Sequence, residues 1–88
     1  MAAAALTLAE ISHPRLAHEL VQSLMDEGQA SLDALVGLSR RNRNTVRQTL
    51  CELRHAGLCE RTSVVGADGY MTRLYALSRA GIDVALDG

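Results

Sequence analysis

A glycine-rich turn between two strand-like runs is the feature that most restricts how this chain can fold. The run Leu58–Val65 gains β-branched residues toward its end, and the run Tyr70–Leu77 follows after the turn Gly66–Gly69. Two glycines separated by two small residues, here Ala67 and Asp68, are typical of a tight turn between antiparallel strands. The sequence therefore predicts a small β-hairpin close to the carboxyl end of the chain.

Two helices are predicted early in the chain. The first spans residues 14–26, carries leucines at a spacing of four, and ends before Gly28, which can cap it. The second begins after Ser31, a good N-terminal cap, and ends near Ser39 or Arg40. Few residues separate it from the next helical segment, as in a helix-turn-helix.

A third helix is predicted over residues 43–56, capped by Asn42 and stopped by Gly57. Its apolar stripe consists of Val46, Leu50 and Leu53. At about 100° per residue, the opposite face is polar. That face carries Asn44, Arg47, Gln48, Cys51 and His55. After the hairpin, Ser78 can cap a short last helix, which completes the order helix, helix, helix, hairpin, helix.

The basic charge is concentrated in one stretch of the chain. Residues 40–61 contain six arginines and two acids, whereas residues 1–39 carry a net charge of −4 and residues 62–88 of −1. All nine cationic side chains are arginine, whose forked donors suit phosphates and guanine edges. A GC-rich genome would also favour arginine, so its position in the chain is more informative than its use.

The length limits the organisation of the chain. With 88 residues there is room for one domain, predicted over residues 13–88 after an N-terminal extension of residues 1–12. So small a domain buries a modest core, and a second copy could supply further burial, so we expect a homodimer. Its predicted surfaces are the apolar leader, with Leu6, Leu8 and Ile11, and the terminal helix. Without a signal sequence or a membrane-length apolar run, we expect a cytoplasmic protein that does not contact a membrane.

Four segments match a known pattern in their order and spacing: Ser12–Leu16, Asn42–Leu50, Leu53–Leu58 and Tyr75–Gly81. They correspond to the opening of a first helix, a recognition helix, its exit into a wing, and the return from that wing. Together they resemble the winged helix-turn-helix domains of bacterial repressors of the ArsR and MarR kind.

The resemblance implies a mainly α fold with a small β-hairpin, namely a three-helix core, a two-stranded wing and a short C-terminal helix. It also implies a transcription regulator that binds DNA as a dimer. One position departs from the pattern, because Arg41 stands where an apolar residue usually lies in the turn. Either the turn is built differently, or the second helix is longer.

Candidate DNA-binding residues follow from how such a domain meets a duplex. A helix in the major groove reads base edges with its N-terminal residues, arginine pairing with guanine and glutamine or asparagine with adenine. These residues are Arg43, Asn44, Thr45, Arg47 and Gln48. Phosphate contacts are expected from Arg40 and Arg41, before the helix, and from Tyr70 and Arg73 in the wing. The direction of Arg61 depends on the strand register.

Metal, redox and catalytic roles have weaker support. Cys51 and His55 lie four residues apart, but two ligands do not complete a tetrahedral site, so we expect no metal. An exposed Cys51 could act as a redox switch, although the simpler interpretation is a small tolerated side chain. No nucleophile motif or glycine-rich phosphate loop is present, so we expect no enzyme and no cofactor.

The sequence thus favours a sequence-specific regulator of transcription, acting as a repressor on double-stranded DNA at the nucleoid. Two alternatives remain open. The domain could bind an acidic protein partner through its arginines, or it could be an architectural or replication-associated DNA binder in which phosphate contacts dominate.

Overall fold

The computed structural model of the protein describes residues 11–87. Leu6 and Leu8 of the apolar leader, predicted to help form a dimer, lie outside the described residues. Within them the predicted order of helices and hairpin is confirmed. The elements are α1 (Pro14–Glu27), β1 (Ala30–Ser31), α2 (Leu32–Ser39), α3 (Arg43–His55), β2 (Cys59–Val65), β3 (Met71–Leu77) and α4 (Arg79–Asp87).

Side-chain oxygens cap three of the helices, as predicted. Ser31 accepts a first-turn backbone N–H of α2 at 3.2 Å, and Asn42 accepts one of α3 at 2.8 Å. Ser78 does the same for α4 at 3.1 Å. Each cap satisfies a donor that the helix itself leaves unpaired, so these local sequence signals determine where the helices begin.

The core is made of aliphatic side chains from all three N-terminal helices. The leucine stripe of α1 packs with α2, with the apolar stripe of α3 and with β3. The largest fully buried side chains are Leu16, Leu20, Leu24, Leu35, Leu50, Leu53 and Leu58. Burial of one stripe of α3 turns its opposite face outward.

The turn between α2 and α3 explains the departure at Arg41. Helix α2 ends at Ser39, and Arg40 adopts a left-handed conformation with φ of 56°. The backbone N–H of Arg41 donates to Ser39 Oγ at 3.3 Å, and its side chain extends outward to Glu19. The second helix is therefore not extended; the turn is built differently, with an exposed Arg41 in place of an apolar anchor.

The wing is part of a three-stranded antiparallel sheet, ordered β1-β3-β2, rather than the two-stranded unit that the sequence predicted. The added strand β1 pairs Ala30 with Tyr75 and Ser31 with Leu74. Two residues are too few to show an alternating pattern, which is why sequence reading missed this strand.

The hairpin turn lies where it was predicted, at Gly66–Gly69. The N–H of Gly69 donates to the carbonyl of Gly66 at 3.0 Å, and Gly69 has φ of 84°, which glycine adopts without a steric cost. The returning strand begins at Met71, one residue later than predicted, because Tyr70 belongs to the turn region and donates its N–H to Asp68.

Two residues of the predicted N-terminal extension contact the domain. Ile11, predicted as part of the leader to face a second copy, is instead buried in the core of its own chain with 4% exposure. Ser12 donates through its hydroxyl and its backbone N–H to Glu52 on α3, at 2.8 and 3.1 Å. The domain boundary between residues 12 and 13 stays a prediction.

Helix α4 is anchored on the exit of α3 by a very close approach of backbones. An ideal Cβ built on Gly81 would lie 2.0 Å from the carbonyl oxygen of Leu58. That carbonyl also accepts the N–H of Ser78 at 3.0 Å, and Ser78 Oγ donates to the carbonyl of Gly57 at 2.6 Å. Only glycine fits this position, which gives a physical reason for the glycine that ends the Tyr75–Gly81 segment.

The two cysteines lie in different surroundings. Cys59 begins β2 and is buried, and this burial raises the pKa of its thiol to about 11. Cys51 is exposed on α3. Because the thiolate is the reactive form, the two side chains should differ in reactivity in the folded protein.

We expect Gly81→Ala to destabilise the fold by about 2 kcal/mol, because overpacking against a backbone carbonyl outweighs the better helix propensity of alanine. Gly37→Ala is the matched control, since Gly37 is also helical but has no neighbour within 4 Å of an added Cβ. It should stabilise by about 0.5–1 kcal/mol. Urea unfolding measures both, and equal effects of the two substitutions would contradict the close approach.

In the native protein at pH 8, we expect iodoacetamide to modify Cys51 and leave Cys59 largely unreacted. A thiol whose pKa is about 11 is ionised in only about one molecule in a thousand at that pH. Mass spectrometry of the digested protein locates the adducts, and the Cys51→Ser chain is the control. Similar native rates at both thiols would show that Cys59 is not buried; denaturing urea should remove the difference.

Candidate nucleic-acid interface

Helix α3 presents a polar surface on the side opposite its buried stripe. The side chains of Arg43, Asn44, Arg47 and Gln48 are exposed, whereas Val46 on the same turns is fully buried. The predicted polar face is therefore confirmed as an exposed face. It begins at the first residue of the helix, directly after the turn from α2.

The strand register directs two further arginines to one face of the sheet. Arg61 on β2 is opposite Tyr75 on β3, and Ser63 is opposite Arg73. Directly opposed residues of antiparallel strands point to the same face, and residues two apart along a strand also share a face. Arg61, Arg73 and the buried ring of Tyr75 thus belong to the face that packs toward α3.

Two open grooves lie between α3 and this face of the sheet. One is lined by Asn44, Arg47, Gln48, Cys51, Arg54, Arg61 and Tyr75. The other is lined by Ser31, Leu32, Asp33, Arg43, Arg47, Arg61, Met71, Thr72, Arg73 and Tyr75. They share Arg47, Arg61 and Tyr75, so they form one continuous surface, which we call the arginine groove. It contains five arginines and one acid, Asp33.

Two ion pairs occur on or beside the arginine groove. Arg43 Nη1 donates to Asp33 Oδ1, joining the start of α3 to the first turn of α2. Arg41 Nη2 lies 3.4 Å from Glu19 Oε2 on α1. All four side chains are more than a third exposed, so these pairs add little to stability.

The structure brings most of the candidate DNA-binding residues together. Those that line the arginine groove are Arg43, Asn44, Arg47, Gln48 and Arg73. The other four lie outside the groove lining: Arg40 and Arg41 in the turn before α3, Thr45 half-buried on α3, and Tyr70 at the hairpin tip. No observation tests the roles of these nine residues, which stay predictions.

The groove residues outside the candidate set include Arg54, Arg61 and Tyr75. The register of the hairpin was the missing information for the last two, because a shift of one residue would move the side chains of the shifted strand to the other face. Val65 pairs with Met71 next to the turn, so the residues four positions farther from the turn on each strand, Arg61 and Tyr75, are also paired. This pairing places both side chains on the same face of the sheet.

Side chains that can bind a metal are not grouped in the part of the chain from residue 11 to residue 87. No group of three or more histidine, cysteine, aspartate or glutamate side chains is arranged there to hold an ion. His55 is exposed on α3, one turn after Cys51. Within the same residues, no helix combines the length and apolar character needed to cross a bilayer.

Comparisons with known proteins place the fold. No family model matches the chain, and no curated protein sequence matches it. Among solved structures, a MarR family transcriptional regulator from Silicibacter pomeroyi superposes with a TM-score of 0.76 at 26% identity, over 91% of this chain and 52% of the other. The oxidised form of MarR from E. coli has a TM-score of 0.72 at 15% identity, over 91% and 55%.

A third structure is a zinc-responsive MarR family member, ZitR from Lactococcus lactis. It has a TM-score of 0.71 at 15% identity, over 81% of this chain and 47% of the other. The chain thus spans about half the length of the solved structures that it resembles. The chain shares this fold with a MarR family transcriptional regulator. Its four helices and antiparallel wing form a winged helix-turn-helix domain like that of the MarR family of transcriptional regulators.

Proposed function

We propose that this chain is a sequence-specific regulator of transcription that binds duplex DNA as a homodimer and represses by occupying promoter DNA at the nucleoid. The observation that carries the proposal is the arginine groove. Helix α3 and both wing strands contribute five arginines to one surface, although the whole chain has a net charge of −1. Phosphates respond to this local field and not to the net charge.

The dimensions of α3 suit the major groove. Its 13 residues make a helix about 20 Å long, and the major groove of B-DNA, about 12 Å wide, admits one helix. The exposed residues of its first two turns are Arg43, Asn44, Arg47 and Gln48. These side chains can form two hydrogen bonds with a single base, so they are suited to reading sequence.

The residues around α3 would supply affinity. Arg61 and Arg73 project from the wing toward the same surface and would neutralise phosphates beside the helix. Arg40 and Arg41 precede α3 and would contact the backbone on its other side. The hydroxyl of Tyr70, a residue with 75% exposure, can donate to a phosphate, and Thr45 can donate to a phosphate or touch a thymine methyl.

The proposed homodimer would use the exposed apolar side of α4. Ile82 and Leu86 lie four residues apart on this helix, with exposures of 38% and 70%. Apolar side chains at this spacing form one stripe, and a twofold-related copy could cover it. Two copies would then place two α3 helices on a pseudo-palindromic site.

The first experiment is fluorescence anisotropy with a labelled duplex from upstream of the gene and with a scrambled duplex, each at two salt concentrations. We expect the native chain to prefer the upstream duplex by a factor of about a thousand. Arg43→Ala/Arg47→Ala should abolish this preference. The matched control is Arg15→Ala/Arg79→Ala, which removes the same charge from exposed positions on α1 and α4.

The outcomes separate the alternatives. Binding with a steep salt dependence but no preference would favour an architectural or replication-associated DNA binder. No binding to either duplex would contradict the proposal, and the arginine groove would then be tested against an acidic protein partner. Equal losses in the two double variants would show that only the total charge matters.

Leu86→Asp should convert the dimer to a monomer, because it places a charge in the proposed apolar contact. Sedimentation velocity of the full chain measures the change in mass. Leu38→Asp is the control, since Leu38 is 56% exposed on α2 and lies outside α4. A native chain that sediments as a monomer, or a Leu86→Asp chain that remains dimeric, would contradict the proposed surface.

A further inference from the structure

The arginine groove contains a single acid, Asp33, which lies beside Arg43 at the start of α3. We propose that Asp33 is a positioning residue that holds the Arg43 guanidinium for a guanine edge and thereby increases sequence discrimination. This inference rests on the proposed function, because it concerns how the same surface reads DNA. The inference explains why an acidic side chain, which weakens the attraction of the groove for phosphates, lies beside Arg43.

The position of Asp33 is determined by the helix-turn-helix itself. Asp33 is the second residue of α2, directly after the Ser31 cap and Leu32, and Arg43 is the first residue of α3. The ion pair therefore connects the N-terminal turns of two helices that pack on one core. The carboxylate is held on a regular element and not on a mobile loop, so it can restrict the direction of the Arg43 side chain.

The chemistry of arginine explains the expected effect. The guanidinium has five N–H donors, and the bond from Nη1 to Asp33 leaves others for the O6 and N7 atoms of guanine. A freely rotating Arg43 could turn to a phosphate, which carries no sequence information. By occupying one edge of the guanidinium and repelling phosphates nearby, Asp33 would weaken binding to unrelated duplexes more than binding to the preferred one.

A simpler role for Asp33 makes different predictions. An acid in the first turn of α2 interacts favourably with the helix dipole, and an exposed ion pair contributes little to stability. If these were its only effects, removing the charge would alter the melting temperature slightly and leave base preference unchanged. Base preference is therefore the readout that separates the two roles.

The test starts with selection of preferred sequences from a random duplex library by the native full-length chain and by Asp33→Asn. We expect the native chain to enrich a motif with a guanine at the position read by Arg43, and Asp33→Asn to lose that guanine. Anisotropy should show that Asp33→Asn binds the scrambled duplex more tightly than the native chain does. Its preference for the selected duplex over the scrambled one should be about tenfold smaller. The salt dependence should steepen by about one phosphate contact.

Three control variants make the test specific. Asp83→Asn removes the same charge from an exposed position on α4 and should leave the motif unchanged. Asp33→Glu should restore part of the preference. In an Arg43→Gln background, Asp33→Asn should cause no further loss of preference, because the two residues act through one contact. Thermal melts of every variant verify that the fold is retained.

Several results would overturn the inference. In one such result, Asp33→Asn increases the affinity for the selected and the scrambled duplex equally, which would make Asp33 only a negative charge near DNA. In another, the Asp33→Asn chain selects the native motif with its guanine unchanged. Failure of the proposed function is distinguishable from both, because the native chain would then enrich no motif at all.

Discussion

The burial of one stripe of α3 is the interaction on which the rest of the structure depends. Val46, Leu50 and Leu53 are fully buried, and α3 contacts both other helices of the core. This packing determines the rotation of the helix about its axis, so it also determines that Arg43 and Arg47 point outward. The same contacts that stabilise the fold thus orient the surface proposed to read DNA.

The path of the chain after α3 connects that surface to the wing. The carbonyl of Leu58 accepts the N–H of Ser78, and Gly81 packs against it more closely than any other residue could. This junction holds α4 and the base of the sheet beside the end of α3. Strand β2 begins at Cys59, directly after Leu58, so the backbone that carries Arg61 is fixed at the end nearest this junction.

Electrostatics in this protein are local. Arginines from elements separated by up to 30 positions in sequence, Arg43 to Arg73, line a continuous surface that contains one acid. The whole-chain charge of −1 conceals this surface, since acids are concentrated elsewhere, including the segment of residues 1–39. If Asp33 positions Arg43 as proposed, that one acid weakens the attraction for phosphates and increases discrimination between base sequences. A protein that must bind few sites among many unrelated ones needs such discrimination.

The sequence by itself determined the local structure, because caps, glycines and apolar spacing act over a few residues. Asn42, Gly57 and the Gly66–Gly69 turn were sufficient to place α3 and the hairpin. The spacing of Val46, Leu50 and Leu53 was sufficient to identify the polar face of that helix. Only the tertiary structure decided the rest. The pairing of β1 with β3, the outward path of Arg41 and the inward direction of Arg61 depend on strand register and on contacts between distant segments, which no local pattern encodes.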